Sequence, residues 1–324
     1  MQYGKIPGLN KPIARVVQGS TMIGSDLDET KSFALLDKVY ALGGNTIDTA
    51  HVYSGGNSER IIGRWLQARG LRDKIVIITK GAAPSADRQR ITPFDITADL
   101  HDSLVRLKTD HIDLYLLHRD NPSQPVDPII DILNEHRRAG KILAFGGSNW
   151  SHQRIEAANA YALANGLEPF VASSPQYGLA EALGEPWPLC LSISGSTASK
   201  AREWYVENQL PVLAWSPLAS GFFSGRFTRD NLHTFGDREW DRVCVSTYAS
   251  ESNFQRLDRA MVLGSEKGLT AAQIALAFAL NQPMNIFAVV GSTNIDTFNA
   301  NVLASEVQLT PQEMDWLDLK SDSR

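Results

Sequence analysis

The sequence predicts an α/β fold, a (β/α)8 barrel of the TIM type, with a short N-terminal extended segment or hairpin ahead of it and a long loop after the seventh strand. Three observations lead there. Eight short apolar runs bounded by turn residues recur along the 324 residues, and helical patterns stand between them. The runs are continuously apolar rather than alternating, which marks strands buried on both faces. A strand reaches a parallel neighbour only through a crossover, usually a helix, and eight such units close more readily into a barrel than into an open sheet.

The elements follow in order. After a segment rich in Pro and Gly, the first run is Ala14 to Gln18. A helix is expected over Thr30 to Leu42, where Phe33, Leu36 and Tyr40 share one face and Gly43 is placed to end it. Asn45 to Thr49, Ile75 to Thr79, Ile112 to Leu117, Leu143 to Gly147, Phe170 to Ser173 and Pro211 to Trp215 are the next six runs. Helices are expected between them over Ser58 to Ala68, Thr92 to Leu107, Pro128 to Ala139, Ser151 to Asn165 and Ser199 to Asn208. The stretch from Leu218 to Asn253, about 35 residues, then breaks the rhythm and exceeds the usual loop length. Its Phe222, Phe223, Phe227, Phe235, Trp240 and Tyr248 predict a functional loop that folds over a bound ligand. A helix over Gln273 to Leu280, the eighth run Phe287 to Val290, a helix opening after it, and a closing helix over Thr310 to Leu319 complete the chain. Residues 1–324 read as one domain.

With 43% hydrophobic and 21% charged residues, the chain can bury a large core. Its net charge of -5 comes from interspersed signs, with no basic stripe for nucleic acid and no polybasic patch for a membrane. Small-molecule partners are therefore expected. The two cysteines, Cys190 and Cys244, form neither a disulfide framework nor a metal-site spacing, which suits a reducing compartment. The first residues lack a secretory pattern and no stretch is long and apolar enough to span a bilayer, so the expected location is cytoplasmic. The sequence assigns no oligomeric state.

Active sites of such barrels form where the strands end. Asp48 closes the second run and Tyr53 lies five residues on; Lys80 ends the third run and His118 the fourth. Taken singly, a strand-end carboxylate, a loop tyrosine or a lone histidine is an ordinary structural residue. Four ionisable groups on three consecutive strand ends are another matter, because gathering them at a dry rim costs desolvation without a gain in stability.

The segment Asp48-Thr49-Ala50-His51-Val52-Tyr53, followed by Ser58-Glu59 and Gly63, resembles the signature of the aldo-keto reductases. Ile78-Thr79-Lys80, Asp113-Leu114-Tyr115-Leu116-Leu117-His118, Gly146-Gly147-Ser148-Asn149, Ser174-Pro175-Gln176-Tyr177 and Trp215-Ser216-Pro217-Leu218 stand in that family's order, so the resemblance spans nearly the whole chain. It implies an NAD(P)H-dependent enzyme that reduces an aldehyde or ketone, such as a sugar or other small carbonyl compound, to an alcohol, or runs the reverse oxidation.

The resemblance also implies residue roles. Tyr53 becomes the proton donor, Lys80 the ammonium that lowers its pKa, Asp48 the partner of Lys80, and His118 the group that orients the substrate oxygen. Trp215 becomes the stacking aromatic for a nicotinamide, with Ser148, Asn149 and Gln176 on its carboxamide. Ser216, Leu218, Gly221 and Arg226 border the cofactor, Arg226 as a pyrophosphate contact. Gly291, Ser292, Thr293 and Asn294 form an anion site at a helix start, and Thr297 and Asn301 stand at the adenosine end.

NADP is the cofactor that the family implies. Relatives commonly place Arg or Lys after the eighth strand to hold its 2′-phosphate, yet positions 291–308 carry no basic residue, which makes NAD a competitor. Met22, Trp150, Arg119, Asp120 and the aromatic loop are candidate pocket-lining residues. Two other functions compete: a cofactor-binding regulatory subunit resembling potassium-channel beta subunits, and a Schiff-base aldolase using Lys80.

Overall fold

The computed structural model describes residues 1–324. Tyr3–Gly4 (β1) and Ile13–Ala14 (β2) pair as an antiparallel hairpin. Eight parallel strands then close a barrel in chain order: Val16–Gly19 (β3), Thr46–Asp48 (β4), Val76–Gly81 (β5), Ile112–Leu117 (β6), Ile142–Ser148 (β7), Ser173–Ser174 (β8), Val212–Trp215 (β9) and Ile286–Val290 (β10), which returns to β3. The expected (β/α)8 barrel and its hairpin are both present.

Strand periodicity separates a barrel interior from the layers packed under the helices. Val17, Val76, Ile78, Leu114, Leu116, Ala144, Ala172, Leu213, Phe287 and Val289 fill the barrel, and Ile6 and Ile13 of the hairpin region close its bottom. The alternate residues Ile47, Ile77, Tyr115, Phe145 and Ala288 point outward and pack under the helices with Leu36, Ile62, Trp65, Ile96, Leu100 and Leu133. At the bottom, Asp113 is buried and receives Lys11 Nζ at 2.8 Å, Arg72 Nη1 at 2.8 Å and the amide of Ile77 at 2.9 Å, which ties the N-terminal segment to β5 and β6.

Two motif glycines are required by close approach. A Cβ on Gly63 would sit 2.4 Å from the carbonyl oxygen of Arg106, where the helices Asn57–Arg69 and Pro93–Leu107 touch. One on Gly146 would sit 2.1 Å from the carbonyl oxygen of Ala172, inside the barrel wall.

Three expectations need correction. The first run is displaced, because Ile13–Ala14 pairs in the hairpin and the barrel strand begins at Val16. Of the sixth run only Ser173 enters the ladder, joined by Ser174 beyond it; Phe170 instead packs outside against Trp150 and Phe145, and Pro175 has no N–H to extend the pairing. The stretch after β9 is not an irregular loop, and most of its aromatic residues serve a core. It folds into a turn at Ala219–Ser224 and a helix at Glu239–Tyr248, and the helix Glu251–Lys267 follows directly. Phe222, Phe223, Phe227 and Tyr248 lie in a core cluster with Phe254, Leu257 and Ile274, and Phe235 stacks on Phe227 at 4.4 Å. Trp240 packs edge-on against Trp187, which in turn neighbours Trp215.

Candidate active site

The same alternation that fills the barrel sets its upper rim. Val76 and Ile78 point inward, so Lys80 does too; Leu114 and Leu116 bring His118, Ala144 and Gly146 bring Ser148, and Leu213 brings Trp215. Asp48 ends β4 beside Ile78 in the ladder. Tyr53 arrives on the loop after β4, which is pinned by amides of Thr49 and His51 bonding the carbonyls of Ile78 and Lys80. Ser58 holds the far side of that loop through Thr49 Oγ1 at 3.0 Å and Ser20 Oγ at 2.8 Å.

The structure brings all four expected groups together. Lys80 Nζ donates to Asp48 Oδ1 at 2.6 Å, to the Thr49 carbonyl at 2.9 Å and to Tyr53 Oη at 3.4 Å, so its three N–H groups are committed. The Tyr53 and His118 rings meet edge-on, with centroids 5.7 Å apart. Burial works against the Lys80 ammonium, but Asp48 and Tyr53 outweigh it and its pKa lies above the ordinary lysine value. A Schiff-base lysine needs the opposite shift, so the geometry disfavours the aldolase reading.

Electrostatics alters one expectation. Burial raises the Tyr53 pKa above the ordinary phenol value; the pull of Lys80 the other way does not overcome it. Tyr53 is thus a firmly protonated phenol in this state. His118 shifts far in the other direction, because burial, Lys80 and Arg119 all penalise the imidazolium. A histidine whose pKa falls on folding leaves stability intact above its unfolded value of about 6.5 and erodes it as pH falls below that value. We expect the urea midpoint to decline between pH 7.5 and pH 5.5, and to decline less in His118→Gln; equal slopes would show that His118 does not carry this linkage.

The remaining candidates fall into two groups. Asn149, at φ 61°, donates to the His118 carbonyl at 3.1 Å and accepts from the Leu191 amide at 3.0 Å and Trp215 Nε1 at 3.2 Å. Ser148 Oγ donates to the Ser174 carbonyl at 3.0 Å. Gln176 Oε1 accepts from Ser192 at 2.5 Å and Ser194 at 3.2 Å, while its Nε2 is buried without an acceptor. Ser216, at φ 47°, and Gly221, at φ 92°, shape the turn after Trp215, and Leu218 is half-buried there.

At the other edge, Gly291, Thr293 and Asn294 are exposed ahead of the helix Ile295–Ala304, and Ser292 is buried. Asn294 caps this helix through the Thr297 amide, Thr297 Oγ1 donates to Asn294 at 3.0 Å, and Asn301 donates to Ser292 Oγ at 3.2 Å. Arg226 is set apart from these. It pairs with Asp241 and lies over the rings of Phe227 and Phe235, so its charge is already engaged.

Two proposed pocket residues are elsewhere. Trp150 is fully buried and donates to the Arg119 carbonyl, and Asp120 is buried in an ion pair with Arg154 at 2.9 Å. Met22 packs partly buried against the core. Sequence reasoning missed the strap that follows β8. Its Trp187 lies 5.1 Å from Trp240 and 6.4 Å from Trp215, measured between ring centroids. A tryptophan between prolines in a segment with no periodicity was the available signal.

The profile of the Aldo/keto reductase family matches residues 15–322. The chain belongs to the aldo/keto reductase family. Among curated proteins, the oxidoreductase YrpG of Bacillus subtilis is 28% identical, the match covering 98% of this chain and 95% of YrpG. The aryl-alcohol dehydrogenase [NADP(+)] of Phanerodontia chrysosporium is 24% identical over 96% of this chain and 83% of its own. Norsolorinic acid reductase stcV of Emericella nidulans is 27% identical over 89% and 71%. Among solved structures, the thermostable aldo-keto reductase Tm1743, in complex with the inhibitor epalrestat, superposes with a TM-score of 0.76 at 23% identity, covering 99% of this chain and all of that one. This aldo/keto reductase is therefore an NAD(P)H-dependent oxidoreductase acting on small carbonyl or alcohol compounds, and its named relatives favour an enzyme over a regulatory barrel. None of its helices is long and apolar enough to cross a membrane.

Proposed function

We propose that the chain, working as one domain, reduces aromatic aldehydes or ketones, with Tyr53 as the proton donor. The observation that carries this reading is the buried relay in which Lys80, held by Asp48, donates to the Tyr53 hydroxyl beside a neutral His118. A bound nicotinamide supplies the hydride. His118 and Tyr53 orient the substrate oxygen, and as negative charge develops on it the phenol passes over its proton while Lys80 stabilises the phenolate left behind. Closure of Trp187, Trp215 and Trp240 into one aromatic wall suits a flat apolar substrate better than a sugar. The names of the aryl-alcohol dehydrogenase relatives point the same way.

The residues present suit a nicotinamide cofactor. The orphaned Gln176 Nε2 is a buried donor in want of an acceptor, such as a carboxamide oxygen, and Trp215 offers a ring at the same rim. The helix start at Asn294 supplies first-turn amides for a phosphate, with Ser292 and Thr293 beside it. NADP is our assignment, with NAD accepted as well, because no cation from 291 to 308 meets a 2′-phosphate. Titration followed by tryptophan fluorescence is expected to give NADPH and NADH affinities within about tenfold, a difference of ~1.4 kcal/mol or less. Binding of neither would overturn the reading.

A further inference from the structure

Arg119 follows His118 directly and has no acidic partner. Its Nη1 donates to the His118 carbonyl at 2.8 Å, its Nε to the Pro188 carbonyl at 3.1 Å and its Nη2 to Cys190 Sγ at 3.2 Å. All three acceptors are neutral: burial, only partly offset by Arg119 itself, lifts the Cys190 thiol above its ordinary range. Of the neighbouring acids, Asp120 is paired with Arg154, and Glu185 accepts the Leu189 amide at 2.8 Å and makes no ion pair with Arg119. A guanidinium carries five N–H groups, so one remains on each Nη.

A half-buried cation without an ion-pair partner is costly, and this one lies between the backbone of His118 and the strap residues Pro188 and Cys190. Its charge acts on both Tyr53 and His118. The cofactor phosphates do not balance it, because β6 and β10 lie four strands apart in the closed barrel, on opposite sides of the mouth. The missing anion then belongs to the substrate.

We propose that Arg119 is an anion subsite of the substrate pocket, and that the preferred substrates are aromatic carbonyl compounds bearing a carboxylate. This rests on the reductase reading above. The strap residues Pro188 and Cys190 fix the guanidinium from one side and the His118 carbonyl from another, leaving its fork directed by the same bonds that shape the Trp187 wall.

The test compares kcat/KM for 4-carboxybenzaldehyde and for its neutral methyl ester, with NADPH. The wild type is expected to favour the carboxylate by about 10- to 100-fold, the range of a hydrogen bond to a charged group. Arg119→Met is expected to collapse that ratio to about one, and Arg119→Lys, which keeps the charge and loses the fork, to restore part of it. An equal loss on both aldehydes in Arg119→Met would overturn the proposal and leave Arg119 as a tie for the strap. Because that variant loses three bonds, the wild type is read on its own as well: turnover of both aldehydes without discrimination sinks the subsite alone. Turnover of neither, with no cofactor bound, sinks the reductase reading and the subsite with it.

Discussion

Tyr53→Phe is expected to lower kcat for aldehyde reduction by about 10²- to 10⁴-fold while leaving cofactor affinity and folding close to wild type. The substitution removes one oxygen. That oxygen accepts only the long 3.4 Å bond from Lys80, whose other two bonds, to Asp48 and the Thr49 carbonyl, persist. The ring keeps its edge contact with His118. What disappears is the only hydroxyl at the relay whose proton has a buried ammonium behind it. Stopped-flow traces of NADPH oxidation would separate chemistry from product release, and turnover within threefold of wild type would remove Tyr53 from the donor role.

The opposite end of the barrel carries the largest expected effect on stability. Asp113→Ala is expected to destabilise the protein by about 3–5 kcal/mol, the usual cost of leaving a buried ion pair half-broken. Lys11 and Arg72 would lose their shared carboxylate and the Ile77 amide its acceptor. Asp113 stands near the start of β6 and His118 just past its end, five residues or roughly 16 Å away, so the relay should be untouched and the folded fraction should keep its kcat. Urea denaturation at pH 7.5 checks the first part; a loss below about 1 kcal/mol would mean that the bottom network is ornamental.

How far the sequence could be read follows from which forces act locally. Buried parallel strands write themselves as apolar runs, and the residue at the end of each run inherits its direction from the alternation before it; Lys80 and His118 were legible for that reason. Tyr53 needed the motif, because its position depends on hydroxyl bonds from Thr49, Ser58 and Ser20 that no periodicity announces. The helix Glu251–Lys267 was overlooked although Phe254, Leu257 and Ala260 form its buried stripe and Ser250 caps it, since the aromatic content upstream suggested a loop through Asn253. Burial of Phe222 and Phe223 was illegible, because an aromatic residue in an irregular segment serves a core as readily as a ligand. The net direction of the Tyr53 pKa was illegible for a comparable reason: the lowering by Lys80 is visible in the motif, while the larger raise from burial depends on how the folded rim surrounds the ring.

Asn149 gives the mouth an unusual wiring. One carboxamide touches the backbone beneath His118, the strap at Leu191 and the indole of Trp215. Walls that would otherwise evolve separately are thereby spliced at a single side chain. Attempts to re-tailor the strap for a new substrate should disturb the Trp215 side of the mouth, and paired substitutions at Trp187 and Trp215 should depart from additivity in wild type but approach it once Asn149 is replaced.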